Sequence, residues 1–448
     1  MPDALQVKAE YVDSPEKRNS YTVGIVGYSK EGLSYALAFA TAGYTVKYTD
    51  RDQYALNRIA KGATMLFSNA AEAKLKTLAK TGRITVINDL EKTVSGSNVI
   101  VIAIPLKFDE KGFFDDSEVK NVCKQIGTSL RKGSLVIYGC ITGVGFIEST
   151  VKRPIEDTSS LKTGEDYGLA YCISETKDWT EETAEASQFY VAAYEKRSLQ
   201  SAATFMETLT KKEVKLLPDL QTAELAILFM AAHKDVSMAL TNELSAFCEK
   251  TGQDYYSIIE YSGKHENSTY PTLHTDENRN VIHLLMAAAE NAGVKLRLLE
   301  AARQTNELMV KRALTLVKEA LDECGKSLRR AKVSVIGMVT SESASHTLVK
   351  MLEAKGAKVS IYETRTTASQ NIDFTGSYAK TVYEAAESAD CIVLVTGRDW
   401  AKRLNLRKLH TIMKMPAAIV DLTASLEQDK VEKAEFIYRS LGRGNRRK

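Results

Sequence analysis

A short apolar run, a glycine turn, a helical pattern and a second apolar run occur in that order twice in this chain, at Tyr21–Asp50 and again from Lys332 to Glu363. In the first copy, Tyr21 to Val26 leads into Gly27-Tyr28-Ser29-Lys30-Glu31-Gly32. The helical stretch LSYALAFATAGY follows, closed by Gly43, and the run from Thr45 to Thr49 ends in Asp50. Strand, turn, helix and strand in immediate succession make a βαβ unit. Further β-type runs at Val99 to Ile104, Ser134 to Tyr138 and Tyr167 to Tyr171 extend it toward a largely parallel, doubly wound sheet. The second copy runs through VSVIG, closing on Gly337, then TLVKMLEAKG and AKVSIYE, with further strands at 390–395 and 418–421. Between the copies strand signals nearly vanish, and helical runs cover 222–250, 281–292 and 296–323. At 448 residues the chain exceeds one hydrophobic core. The expected fold class is therefore α/β: an N-terminal arm over 1–20, flexible or surface-bound, a dinucleotide-binding Rossmann-like domain over 21–200, a helical domain over 201–326 and a second Rossmann-like domain over 327–448.

Charge and composition exclude several classes. Sixty basic against 57 acidic residues leave +3, too little to argue for nucleic acid or an anionic membrane, and the basic tail from Arg443 to Lys448 reads as solvated. Six scattered cysteines, with no CxxC pair, fit reduced thiols rather than a disulfide framework or a metal site. The longest apolar run, Val99 to Leu106, is far too short for a bilayer, and the N-terminus has no apolar signal region. A cytoplasmic protein is expected.

A glycine turn between strand and helix offers backbone N–H groups and a helix N-terminus to a pyrophosphate, while an acid ending the second strand holds the adenosine ribose. Gly27, Gly32 and Asp50 fit these roles, and NAD is the expected cofactor. Ser29 stands at the middle glycine position, where its hydroxyl is a further phosphate donor. Asp50 disfavours a 2′-phosphate, although Arg51 beside it leaves NADP open. The competing reading is that Gly27 and Gly32 only shape a tight turn.

Three stretches carry a closer resemblance. They are IPLKFDEKGFFDDSEVKNVCKQIGTSLRKGSLVIYGC with GEDYGLAYCISE; then LPDLQTAELA, DVSMALTNELSAFCEKTGQD and AAAENAGVKLRLLEAARQTNELM; and EAAESADCIVLVTGRDWAKRLNL with FIYRSLGRG. Together these resemble the nucleotide-sugar dehydrogenases that act on UDP-glucose, UDP-N-acetylmannosamine and GDP-mannose. The resemblance implies a soluble NAD-linked oxidoreductase for a nucleotide-activated sugar, and a homodimer formed through the helical domain. It also implies oxidation of a C6 alcohol to a carboxylate through a thiohemiacetal on Cys, with Lys and Asn stabilising the oxyanions. The sequence departs from that pattern. Ile227 and Ala231, one turn apart on one helix face, stand where the Lys and Asn are expected. No cysteine lies between Cys248 and Cys324, and the glycine-rich Cys loop is replaced by SGKHENSTYPTLHTDENRNV. The family's Lys- and Arg-bearing loop after the first strand of the last domain is shortened to GMVTSESASH, and a further Arg is missing from DLTAS.

Residues for a different chemistry are few. Cys140 and Cys172 both follow or end predicted strands and are candidates to face a cleft together, with core packing the bland alternative. Glu175 is the remnant of the family's Pro-Glu loop. Lys234 is a candidate relocated catalytic group, with an interface ion pair preferred. His274 stands in the rewritten loop with His265, Glu266 and His283 in or near it, in spacings that match no metal motif. Residues 225–232, LAILFMAA, are apolar on every face and predict a fully buried helix. Two readings follow: a diverged member of the family with altered or lost oxidoreductase activity, or a non-catalytic nucleotide-binding or regulatory scaffold on the same dimeric fold.

Overall fold

The computed structural model describes residues 2–444 apart from 65, 67–68, 110–111, 175–179, 263–269, 274–275, 340–342, 364–373 and 397–400. The chain divides into two compact units, 1–229 with 283–292, and 230–282 with 293–448.

In the first unit the strands are β1 (Thr22–Val26), β2 (Thr45–Thr49), β3 (Ile84–Val86), β4 (Val99–Ile102), a hairpin of β5 (Lys107–Phe108) and β6 (Phe114–Asp115), β7 (Leu135–Tyr138), β8 (Gly168–Ser174), β9 (Phe189–Ala193) and β10 (Lys215–Leu216). Apart from the hairpin they form one sheet in the order β10-β9-β8-β7-β4-β1-β2-β3. Only the β8–β9 pair is antiparallel. The order reverses between β1 and β4, whose registers Val23↔Val46 and Val23↔Val99 place β1 at the centre. Such a reversal opens a crevice at the strands' carboxyl ends, the usual ligand position in a doubly wound sheet.

Helix α1 (Lys30–Ala42) buries Leu33, Ala36, Leu37, Phe39 and Ala40. Burying an aromatic of this kind contributes about 1.5–3 kcal/mol, and Phe39 meets Tyr44 edge-on at 5.3 Å. Gly43 ends the helix at φ +106°, with its N–H bonded to Ala40. The N-terminal arm is bound rather than free. Ala4, Val7 and Val12 join the core, Ala4 N–H donates to the Gly133 carbonyl and Asn98 Nδ2 donates to the Pro2 carbonyl. The sequence offered no periodicity there, because these residues serve a surface made by distant segments.

Helix α2 (Leu220–Thr251) passes from the first unit into the second. The second unit adds α3 (Arg297–Glu323) and a parallel sheet of β11 (Lys332–Ile336), β12 (Lys358–Tyr362), β13 (Ser377–Tyr378), β14 (Cys391–Leu394), β15 (Ala418–Asp421) and β16 (Ile437–Ser440), ordered β13-β12-β11-β14-β15-β16. Both sheets thus share the order 3-2-1-4-5-6 across their principal strands, which sequence similarity did not reveal. Between α2 and α3 lies a buried polar cluster. Arg303 Nε is 2.9 Å from Asp235 Oδ2, while Asn306 Nδ2 donates to Asp235 and accepts through Oδ1 from Asn242. Burial raises the Asp235 pKa even though Arg303 pulls it down.

The expected full burial of 225–232 does not hold. Phe229 is 54% exposed and Met230 39% exposed in the single chain. Further along α2, Leu240, Leu244 and Phe247 are also exposed, at a spacing that puts them on one face.

Candidate active site

The carboxyl edge of the first sheet gathers most of the expected site residues. Strand β1 is followed by Gly27 at φ +115°, where an added Cβ would fall 2.6 Å from the Ala103 carbonyl oxygen. Gly32 lies in the first turn of α1, and a Cβ there would fall 2.5 Å from the Gly27 oxygen. Both glycines therefore let helix and strand approach closely. Tyr48, on β2, donates its hydroxyl to the Gly27 carbonyl at 2.9 Å and fixes the turn from below. Asp50 accepts from Tyr28 N–H through Oδ2 at 2.7 Å and from Asp52 N–H through Oδ1 at 2.6 Å. Its carboxylate is thus held in place beside the turn, with lone pairs still available on both oxygens. Arg51 is exposed next to it.

Ser29 does not play its expected part. It is 6% exposed, donates its hydroxyl to the Ala103 carbonyl at 2.7 Å and accepts from Gly32 N–H at 3.0 Å. It is the N-cap of α1, and its single proton is committed to the protein. Where a middle glycine would leave room for phosphate, this serine closes the turn from within.

Cys140 and Cys172 do not face the cleft. Both are buried, at 1% and 0% exposure, and burial pushes the Cys172 thiol far above its ordinary range. A thiol so placed stays protonated and is no nucleophile. All six cysteines are buried. What sequence reasoning missed is a set of tyrosines bracing this edge. Besides Tyr48, Tyr35 donates to the Cys172 carbonyl at 2.6 Å and Tyr138 to the Ile104 carbonyl at 3.0 Å. Burial raises all three hydroxyls well above the usual tyrosine range, so they act as permanent donors. Their positions within otherwise apolar segments were the available signal, because a tyrosine there needs a partner for its hydroxyl.

Beside the turn, α1 and the ends of β7 and β8 enclose a recess with an empty volume of about 600 Å³, counting its open mouth. Glu31, in the first turn of α1, lines it together with Tyr35, Ile141, Ile173 and Phe189.

Helix α2 contributes Glu224, also missed in the sequence. The residue is 1% exposed, and its carboxylate accepts from Gly145 N–H at 2.5 Å and Ile147 N–H at 2.9 Å. Burial raises its pKa against the pull of these bonds. It ties the loop after β7 to the start of α2. Three residues on, Ile227 is 5% exposed and Leu228 fully buried, so an apolar side chain fills the position where Lys was expected. Ala231 is half-buried. Lys234 is exposed, and the ion pair expected of it belongs instead to its neighbour Asp235, with Arg303. Glu175, His265, Glu266 and His274 lie outside the described residues. Among the described residues no cluster of His, Cys, Asp or Glu has the geometry of a metal site.

Sheet order, glycine turn and strand-end acid define the class: a Rossmann-type, dinucleotide-binding α/β protein. The chain belongs to the UDP-glucose/GDP-mannose dehydrogenase family, whose NAD binding domain matches residues 21–185, central domain residues 221–308 and UDP binding domain residues 339–428. It is 26% identical to a UDP-N-acetyl-D-mannosamine dehydrogenase of Pyrococcus horikoshii, over 94% of this chain and 99% of the relative. It is 22% identical to a UDP-glucose 6-dehydrogenase of Bacillus subtilis, over 94% of this chain and 93% of the relative. In fold it is similar to a UDP-D-ManNAc dehydrogenase structure from P. horikoshii (TM-score 0.80, 21% identity, 94% and 99% coverage) and a UDP-glucose dehydrogenase from Pyrobaculum islandicum (TM-score 0.79, 16% identity, 94% and 98% coverage). NAD is the cofactor of its first domain, and the turn fits that group in Gly27, Gly32 and Asp50 and departs from it at Ser29. Among the described residues no helix is long and apolar enough to cross a membrane.

Proposed function

We propose that this protein is a diverged member of its family that keeps the NAD site and has altered or lost the Cys-dependent four-electron oxidation of a nucleotide sugar. The observation that carries the reading is Ile227, buried where the chemistry needs a cation to steady an oxyanion. The cysteines support it: each is buried, and the sequence between Cys248 and Cys324 supplies no other. When bound, NAD would accept hydride from an alcohol carbon. The chain's own contribution is to hold it: Gly27 and Gly32 shape the tight turn that sets the N-terminus of α1 toward the pyrophosphate, and Asp50 accepts from the adenosine ribose. Asp50 disfavours a 2′-phosphate and so favours NAD over NADP.

The exposed row Leu240, Leu244 and Phe247 supports a second element, a homodimer through α2 that retains the framework whether or not chemistry survives. A nucleotide sugar remains the ligand class for the last domain, held without the family's basic loop. The purified chain is incubated with NAD and a panel of UDP- and GDP-sugars, and NADH absorbance is followed. No formation above a cofactor-only blank is expected. Turnover of any of these sugars to the carboxylate would overturn the proposal. Calorimetric titration with NAD separates a changed enzyme, which binds it, from a scaffold that does not.

A further inference from the structure

We infer that Ser29 sets how tightly this protein holds its dinucleotide, by occupying the place on the α1 N-terminus where a pyrophosphate oxygen would bind. The inference rests on the NAD reading above and assigns the affinity of that site to one residue.

The sheet order reverses between β1 and β4, and the crevice suited to a cofactor opens between their carboxyl ends. Ser29 lies in the turn after β1, and Ala103 directly follows β4. The Ser29 hydroxyl donates across that opening to the Ala103 carbonyl at 2.7 Å, a buried bond between residues 74 apart in sequence. Both flanks are fixed from beneath. Tyr48 holds the Gly27 carbonyl at 2.9 Å on the β1 side, and Tyr138 holds the Ile104 carbonyl at 3.0 Å beyond β4. The link therefore spans a crevice whose walls are already braced.

The acceptor side of the same hydroxyl faces the helix. Ser29 Oγ accepts from Gly32 N–H at 3.0 Å, in the first turn of α1. First-turn N–H groups have no partner within the helix and are what an anion binds. Here one of them is already satisfied by an oxygen of the protein. The turn behind it is committed as well: Gly27 N–H donates to the Thr49 carbonyl and Tyr28 N–H to Asp50. A phosphate oxygen that takes the Gly32 N–H must displace the serine hydroxyl and approach past the serine Cβ, which a glycine would lack. An N-cap requires the bond to Gly32 alone. The second bond, to Ala103, fastens the hydroxyl in the anion's place. Adenosine escapes this competition, because its ribose belongs at Asp50, after β2, on the side of β1 away from β4.

The test is calorimetric titration of the full chain with NAD and, separately, adenosine, for wild type, Ser29→Gly and Ser29→Ala, with thermal melting of each ligand-free protein. Glycine removes both the hydroxyl and the Cβ. It is expected to tighten NAD by about tenfold, the worth of one charge-assisted hydrogen bond, and to change adenosine by less than about twofold. Alanine keeps the Cβ and is expected to fall between wild type and glycine. Both variants are expected to melt below wild type, since the cap and the bond to Ala103 are lost, so a gain in affinity cannot come from a firmer fold. A serine with a structural role alone gives the lower melting temperature with NAD affinity unchanged or weakened, and that result overturns the inference. Equal tightening of NAD and adenosine overturns it too. If none of the three proteins binds either ligand, the NAD site itself is wrong. If wild type binds NAD and glycine brings no gain, only the role of Ser29 fails.

Discussion

Replacing Gly32 by alanine pits two effects of known sign against each other. Alanine in a helix is favoured over glycine by about 1 kcal/mol, and the residue is not at positive φ, so a reader of the sequence would expect stabilisation. The structure says otherwise. The new Cβ would sit 2.5 Å from the Gly27 carbonyl oxygen and 3.1 Å from both Ala103 Cβ and the Tyr48 hydroxyl oxygen. The nearest contact is backbone, so α1 must withdraw by at least about half an ångström, loosening the packing of Leu33, Ala36 and Leu37. Overpacking of this kind costs about 1–3 kcal/mol, and because this contact is to backbone rather than to a flexible side chain the upper part of that range applies. Net destabilisation of about 1–2 kcal/mol remains after the helix gain, or about 2–8 °C in the melting of a unit this size. The displaced turn should also weaken NAD binding by at least about tenfold, since bound geometry is lost at the first contact. Gly143→Ala is the control: its Cβ meets only Leu284 Cδ2, at an ordinary 3.6 Å, so stability should be unchanged or slightly raised. Calorimetric melting and NAD titration of both variants decide the matter. Gly32→Ala as stable as wild type with unchanged affinity would refute the close-approach argument.

Other predictions concern the braces and buried charges. Arg303→Met leaves the Asp235 carboxylate buried without its cation and should cost about 3–5 kcal/mol in denaturant melts, whereas Asp235→Leu with Arg303→Met should recover most of that loss; similar costs for single and double variants would refute the pairing. The Glu224 carboxyl has its pKa raised by burial, so its favourable contribution is complete below the ordinary value of about 4.3 and is lost as pH rises through the raised one. The stability of wild type relative to Glu224→Gln should therefore fall as pH increases from that range toward neutrality, and a rise would count against the burial argument. Native protein should resist thiol labelling at all six cysteines, with six labels appearing on unfolding; rapid native labelling of Cys140 or Cys172 would restore them as site candidates. Leu244→Asp with Phe247→Asp should convert a dimer to a monomer in sedimentation, and a wild type already monomeric would dispose of the interface.

Much was fixed by pattern alone. The two βαβ units, the helical stretch between them, the glycine turn and Asp50 follow from hydrophobic period and from residues whose chemistry is local: a glycine at positive φ, an acid ending a strand. The family, too, was written in contiguous motifs. Tertiary structure decided what depends on distant neighbours. Ser29 reads as a phosphate donor until the Ala103 carbonyl, 74 residues away in sequence, takes its proton. Cys140 and Cys172 follow or end strands and so point toward a cleft on paper, but packing buries both. Glu224 and the tyrosine braces carry no periodic signal, since a hydrogen bond to a loop carbonyl or amide leaves no trace in the spacing of either partner. The reason is common to all of these: short-range geometry is dictated by each residue and its immediate neighbours, while burial and hydrogen-bond partnership belong to the packed surface, and the sequence specifies that surface only through the fold as a whole.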